Sequence, residues 1–302
     1  MAQHRHATLR ELRRHDLRVM LWPSNRAVVA QEDPSPDPGC KESTGVSKNE
    51  VRVEADDLIA GLGRGLAVIE CFDDEHARLT PAEVAELTQI SRTAARRYLL
   101  SLCHFGYANT NGKVFWLAPR VLRLGQSYLL SARLPRLAQP FLEQLFNATQ
   151  ATAGLAVLDD HDVIYLARHS GTDQAKAGVH LGARLPAHVV SAGRAILTSF
   201  SDDALDDWIG AHRFAGFTPV SEKDPARFRA EIVRMRELNY AIADQQLELG
   251  WRGIAVPLRD RHGDCLGALS ITVPTEGTNV DASLAAALPP LRAAETGLRA
   301  LL

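Results

Sequence analysis

The sequence predicts an α+β chain: an N-terminal winged helix-turn-helix, a linker helix, and a C-terminal domain in which helices flank an antiparallel sheet. Three observations carry that reading. Residues 80–117 read as two short helices followed by a tight hairpin, and residues 119–133 hold a further helical pattern. From Leu134 onward the order is helix, hairpin, helices, hairpin, helix, which is the signature of an α+β sheet covered by helices on at least one side. A chain of 302 residues has the length for two such domains.

The first helix of the 80–117 segment starts at Thr80-Pro81-Ala82-Glu83. Threonine is a good N-cap, proline suits the first helical position, and Glu83 is placed to close a capping box. The helix runs through Val84, Ala85 and Leu87 and stops near Thr88-Gln89-Ile90. Ser91 then caps a second helix, RTAARRYLLSL, in which Ala95, Tyr98, Leu99 and Leu102 fall at i, i+3, i+4 and i+7 and form a buried stripe. Arg92, Thr93, Arg96 and Arg97 occupy the opposite face. Two short β-rich runs follow around Asn111-Gly112, a dipeptide favoured in hairpins. Two helices joined by a short turn, the second basic on its free face, followed by a hairpin, make a DNA-reading unit.

Charge placement points the same way more firmly than charge total. The net charge of -2 and pI of about 6.6 favour no partner. Between Leu87 and Leu142 there is no Asp or Glu, yet Arg92, Arg96, Arg97, Lys113, Arg120, Arg123, Arg133 and Arg136 all fall there. A phosphate backbone rewards such a stripe through counterion release, which nearby carboxylates would cancel. Thr93, Arg96 and Arg97 are the candidates for base edges; Ser91, Arg92 and Lys113 are placed to fix phosphates. The plainer alternative is a solvated basic face on an ordinary helical domain.

Residues 1–56 read as a tail, basic over MAQHRHATLRELRRHDLRVMLW and then rich in Pro, Ser and Gly. It is either an arm that adds DNA contacts or a dispensable extension. A helix is expected from Asp57 to Phe72, with Leu62, Leu66 and Ile69 on one stripe; Asp73, Asp74 and Glu75 end it as a solvated loop. GLGRG lacks the preceding strand and following Lys-Ser/Thr of a phosphate loop. Cys40, Cys71, Cys103 and Cys265 are scattered without CxxC spacing, so neither a disulfide framework nor a metal site is expected. No apolar run reaches the 18 or so residues of a membrane span, and no secretory signal opens the chain. A cytoplasmic protein is expected.

Pro119 opens the helical pattern RVLRLGQSYLLSARL, with Val121, Leu122 and Leu129 among its apolar residues; it reads as a connector. Beyond it, FLEQLFNATQ is amphipathic, ATAGLAVLDDHDVIYLARHS reads as two strands about an Asp-Asp-His-Asp turn, and GVHLG as a short strand. A loop then leads to a helix near Ser191, SDDALDDWIGAH and DPARFRAEIVRMRELNY give further helices, and GIAVPLRDRHGDCLGALSITV is a strand pair turning at His262-Gly263. ASLAAALPPLRAAETGLRALL closes the chain as a helix.

A small-molecule pocket needs apolar walls and a few polar groups to orient the ligand. Ser191-Ala192-Gly193-Arg194 begins a helix whose free N–H groups attract a carboxylate. Arg168 ends the strand VIYLAR, where it either clamps a carboxylate or pairs with Asp159 or Asp162. Arg194 reads either as a ligand contact or as a helix-surface or interface arginine. Asp244, Gln246 and Glu248 precede WRGIAVPL, placed to hold ring hydroxyls or tie down a pocket loop, and Ser270 and Thr272 share one face of the last strand.

With GLAVIECF, LTPAEVAELTQISRTAARRYLLSLCHFGY, LPAHVVSAGRAILTSF and LELGWRGIAVPLRDRHGDCLGALSI in view, the chain resembles IclR-type transcriptional regulators from Leu58 to its end, about four fifths of its length. It looks most like the branch that controls catabolism of aromatic acids such as protocatechuate, 4-hydroxybenzoate and β-ketoadipate. The resemblance implies a winged helix-turn-helix over 57–118, a linker helix over 119–133, and a GAF-like effector domain over 134–302. It implies an effector pocket at the positions of Ser191, Ala192, Asp244, Gly253, Ser270 and Thr272, Gly253 standing where other members carry a side chain. The implied partners are double-stranded operator DNA, a small carboxylic-acid effector, further copies of the chain as dimer or tetramer, and RNA polymerase; no cofactor or metal is implied. Two other classes compete. An enzyme acting on a small acid would need a nucleophile with its base or a cofactor loop, and no GxSxG, HExxH or strand-borne GxGxxG is present. A DNA-binding protein whose C-terminal domain only oligomerises would have no use for polar groups along a cavity.

Overall fold

A computed structural model describes residues 58–73, 75–171 and 180–302, apart from the side chain of Leu129. The expected tail over 1–56, Asp57, Asp74 and that leucine side chain lie outside the described residues. The described chain forms two compact units that divide between Ser127 and Tyr128.

In the first unit, α1 (Ala60–Glu70), α2 (Pro81–Thr88) and α3 (Arg92–His104) surround a small core of Val68, Leu79, Val84, Ala95, Leu99 and Phe115. The capping box forms as expected: Thr80 N donates to Glu83 Oε2 at 2.7 Å, and Thr80 Oγ1 accepts from Glu83 N at 3.4 Å. Gln89, at φ 56, makes the left-handed turn that stops α2, and Ser91 caps α3 by accepting from Ala94 N. Strands β1 (Ala108–Thr110) and β2 (Phe115–Leu117) pair antiparallel. Asn111 Oδ1 accepts from Lys113 N and Val114 N, and Gly112 takes φ 94, which a side chain would resist. The stripe expected on the first helix is corrected. Leu62 and Leu66 are exposed, while Val68 is the buried residue. The reason is close approach: the Tyr98 ring lies against Gly61 and Gly65, so the glycine side of α1, in line with Val68, faces the core.

After a 3-10 turn at Pro119–Val121, α4 (Leu122–Ser131) gives way to α5 (Arg133–Thr149) at Ala132, whose backbone is extended. The helix expected after the hairpin ends at Ser131, and a separate helix starts at Arg133. Pro135 has no N–H to offer the carbonyl of Ser131, so the first helix ends there.

The second unit is a six-stranded antiparallel sheet in the order β5-β4-β3-β8-β7-β6. Its strands are β3 (Thr152–Asp159), β4 (Asp162–His169), β5 (Arg184–Pro186), β6 (Ala241–Asp244), β7 (Trp251–Arg259) and β8 (Cys265–Pro274). Helices cover both faces. On one face α5 and α9 (Val280–Arg299) pack Leu142, Leu145, Leu291 and Leu298 against Leu155, Ile254, Val256 and Leu269. On the other lie α6 (Ser191–Leu197), α7 (Asp202–Ala211) and α8 (Pro225–Leu238), against Ala156, Ala255 and Ala268. Strand alternation turns Leu155, Ile254, Val256 and Leu269 to one face and Ala156, Ala255 and Ala268 to the other. The alanine face lets α6 sit so deep that all seven of its residues are buried. GVHLG is not a strand over its described residues; the third strand is Arg184–Pro186, pinned where Arg184 bridges Asp159 and Asp162. Edge strand β6 is an addition, too short for alternation to reveal.

Candidate nucleic-acid interface and ligand recess

In the first unit, α3 turns Ala95 and Leu99 into the core, and the same rotation leaves Ser91, Arg92, Thr93, Arg96 and Arg97 exposed. Lys113 is exposed at the hairpin tip. Among the described residues none of these cations forms an ion pair with a carboxylate. Sequence reasoning missed two supports of the hairpin: Arg78 stacks 4.8 Å over Trp116, and Arg120 lies 5.4 Å over Tyr107. Both are cation–π contacts that the spacing of the residues does not announce.

In the second unit a recess of about 50 Å³ lies between the start of α6 and strands β6, β7 and β8. Val189, Val190, Leu247 and Trp251 supply its apolar walls; Tyr165, Ser191, Gln246 and Thr272 bring polar groups. Gly253 sits on β7 directly opposite Thr272 of β8. A Cβ at Gly253 would come within 2.6 Å of Ser191 Oγ, so the bare backbone there keeps the recess open. Tyr165 crosses over Gly154, and burial pushes its hydroxyl up to about 12. It is a neutral phenol that can donate or accept.

Of the expected pocket residues, Ser191, Gln246, Glu248, Gly253 and Thr272 line this recess, and Arg168, Ala192, Gly193, Arg194, Asp244 and Ser270 do not. Ala192 and Gly193 are buried inside α6, where a Cβ on Gly193 would collide with the Ala187 backbone. Arg194 is neither a surface arginine nor a wall of the recess; at 2 % exposure it is bound to His188 O, Glu231 and Gln246. Asp244 is committed to Arg252, whose Nε lies 2.9 Å from its Oδ1 and whose Nη1 reaches Ser283. Ser270 lies buried, with its Oγ 3.4 Å from Gly154 O. Arg168 is half-buried on β4, and the carboxylates expected to pair with it, Asp159 and Asp162, pair with Arg184. Tyr165 and Trp251 were the omissions, since nothing local in the sequence marks a strand aromatic as lining a cavity.

Residues 61–112 match the IclR helix-turn-helix domain, and residues 126–297 match the bacterial transcriptional regulator IclR C-terminal family. The chain belongs to the IclR family. This IclR regulator is 38% identical over 260 residues to the p-hydroxybenzoate hydroxylase transcriptional activator of Acinetobacter baylyi, covering 84% of this chain and 95% of that one. Among solved structures, the IclR transcriptional regulator of Alicyclobacillus acidocaldarius shares the fold, with a TM-score of 0.69 at 20% identity over 80% of this chain and 98% of that one. A double mutant of the PobR inducer-binding domain from Acinetobacter, in complex with 3-hydroxybenzoic acid, is 32% identical with a TM-score of 0.52. It covers 57% of this chain and 100% of that one. The regulator is thus a transcription regulator with a helix-turn-helix DNA-binding domain and an α+β C-terminal domain.

Proposed function

We propose that the regulator is a non-catalytic, cytoplasmic one-component switch: its helix-turn-helix reads operator DNA, and its recess binds a small aromatic acid. The observation that carries this is the convergence of Ser191, Gly253 and Thr272 on a recess with apolar walls. Apolar walls with a few hydrogen-bonding groups suit a hydroxybenzoate, and the similarity to the p-hydroxybenzoate hydroxylase transcriptional activator favours that class over other acids. Among the described residues Glu248 is the charged group that lines the recess, and no Lys, Arg or His does. A carboxylate would therefore be held by neutral donors, with Ser191 and Tyr165 the nearest candidates. The DNA reader is the unit over 57–118, the linker 119–133 and the sensor 134–302. Ser91, Arg92 and Lys113 fix phosphates while Thr93, Arg96 and Arg97 face bases.

One short recognition helix reads few base pairs, so the working form is at least a dimer on a two-fold related site. Ile59, Leu62, Leu122 and Leu130, apolar and exposed in the single chain, support self-association. RNA polymerase is the further partner an activator of this kind requires. Calorimetric titration with 4-hydroxybenzoate, protocatechuate, β-ketoadipate and glyoxylate tests the sensor. Saturable binding of an aromatic acid is expected, weakened about tenfold or more by Gly253→Val, which fills the recess, and little changed by Arg168→Ala. Binding of none of the four, or binding indifferent to Gly253→Val, would remove the assignment.

A further inference from the structure

The recess has two lips from distant parts of the chain: Val189–Ser191 and Gln246–Glu248. One buried side chain joins them. Arg194 donates from Nε to His188 O at 2.7 Å, on the segment that continues into the first lip. Its Nη2 donates to Gln246 Oε1 of the second lip at 3.1 Å. Its Nη1 reaches Glu231 Oε2 at 2.7 Å and Ile242 O at 3.5 Å, and the guanidinium lies 5.4 Å over the Phe228 ring. Each lip is anchored again behind this contact. Gln246 Oε1 also accepts from Glu222 N, its Nε2 donates to Val220 O, and its backbone oxygen accepts from Ser221 Oγ. His188 Nε2 lies 2.9 Å from Ala215 O and must donate there, so His188 Nδ1 accepts from His212 Nε2 at 2.8 Å.

We propose that Arg194 is a positioning residue: it holds the two lips of the recess at a fixed separation and so sets how long an acid stays bound, without touching it. This rests on the reading of the recess as the effector site. Only a guanidinium can serve here, because its Nε and two Nη groups meet acceptors in three directions of one plane; a lysine ammonium offers a single nitrogen. When the bridge is loosened the lips part more often with ligand inside, so the change falls on escape. Entry is not slowed.

Stopped-flow binding of 4-hydroxybenzoate to the full-length protein tests this, with folding of each variant checked by thermal unfolding. Arg194→Lys and Gln246→Ala should each raise the dissociation rate about tenfold or more without lowering the association rate. The double variant should be no worse than the worse single one, because both changes break the same bridge. A residue needed only for folding would instead lower the fraction of protein that binds and leave the rate of release alone. Should Arg194→Lys not fold, Glu231→Ala carries the test; Glu231 is half-exposed on α8 and lines no part of the recess, and its loss should raise the dissociation rate in the same direction. The surface variant Arg229→Gln, which breaks only the pair with Asp206, should leave release unchanged. Wild-type protein that binds the acid while the bridge variants release it at the wild-type rate, or bridge variants whose effects multiply independently, would overturn the proposal and leave the site standing. Wild-type protein that binds no aromatic acid would overturn both.

Discussion

At the scale of single residues, charge partners decide roles. Arg96 and Arg97 stand exposed on α3 with no carboxylate partner among the described residues, so their donors are available to DNA. If Arg96 reads a guanine, Arg96→Ala should cost about 1–3 kcal/mol on operator and much less on random DNA. Equal weakening on both, in a fluorescence-anisotropy titration, would assign Arg96 to phosphate. The histidines give a second prediction. His161, His188 and His212 cluster with Trp208, His212 stacking on the indole at 4.3 Å. Burial pushes His188 down to about 4 and His212 to about 3, with Arg194 adding to the effect on His188; burial also lowers His161 despite nearby Asp160 and Asp162. The folded state therefore holds these rings neutral while the unfolded chain takes up protons near pH 6.5. Their contribution is fully present above that pH and is lost as pH falls toward about 4, on the order of 3 kcal/mol for His188. Urea unfolding of wild type and His188→Gln between pH 7 and 5 checks it: the pH slope should shrink in the variant, and an unchanged slope contradicts the cluster's role.

At the scale of elements, local chemistry was legible where the signal is local. Thr80, Pro81 and Glu83 specify the start of α2, Ser91 the start of α3, and Asn111-Gly112 the hairpin, because each works through neighbours within three residues. Thr80→Ala should therefore destabilise the first unit by about 1 kcal/mol, read as a lower urea midpoint with unchanged slope. No loss at all would mean that packing of Val84 alone holds the helix. Features set by distant partners were not legible. Nothing near Leu62 and Leu66 reveals that Tyr98 approaches the glycine side of α1. Asp244 and Arg252 are eight residues apart, but Arg194 and Glu231 are 37 apart and Arg184 and Asp159 are 25 apart. The pair with Glu231 commits Arg194, and the pair with Arg252 commits Asp244. Ser191, Gly253 and Thr272 lie in one recess because β7 pairs with β8 in register and α6 starts over that point.

At the scale of the whole molecule, the proposed switch rests on linkage. An acid that prefers one arrangement of the paired reading heads changes operator affinity only by the ratio of its affinities for the arrangements. Operator must then change the acid's affinity by the same factor, since the coupling is a single free energy shared by both ligands. This holds whether the regulator activates or represses, and it distinguishes a sensor from a C-terminal domain that only oligomerises. The most direct measurement is the affinity of full-length protein for 4-hydroxybenzoate with and without saturating operator, set beside operator affinity with and without saturating acid. The account predicts two equal ratios, different from one and abolished together by Gly253→Val. Acid affinity that operator leaves untouched, while the acid still binds, would contradict it.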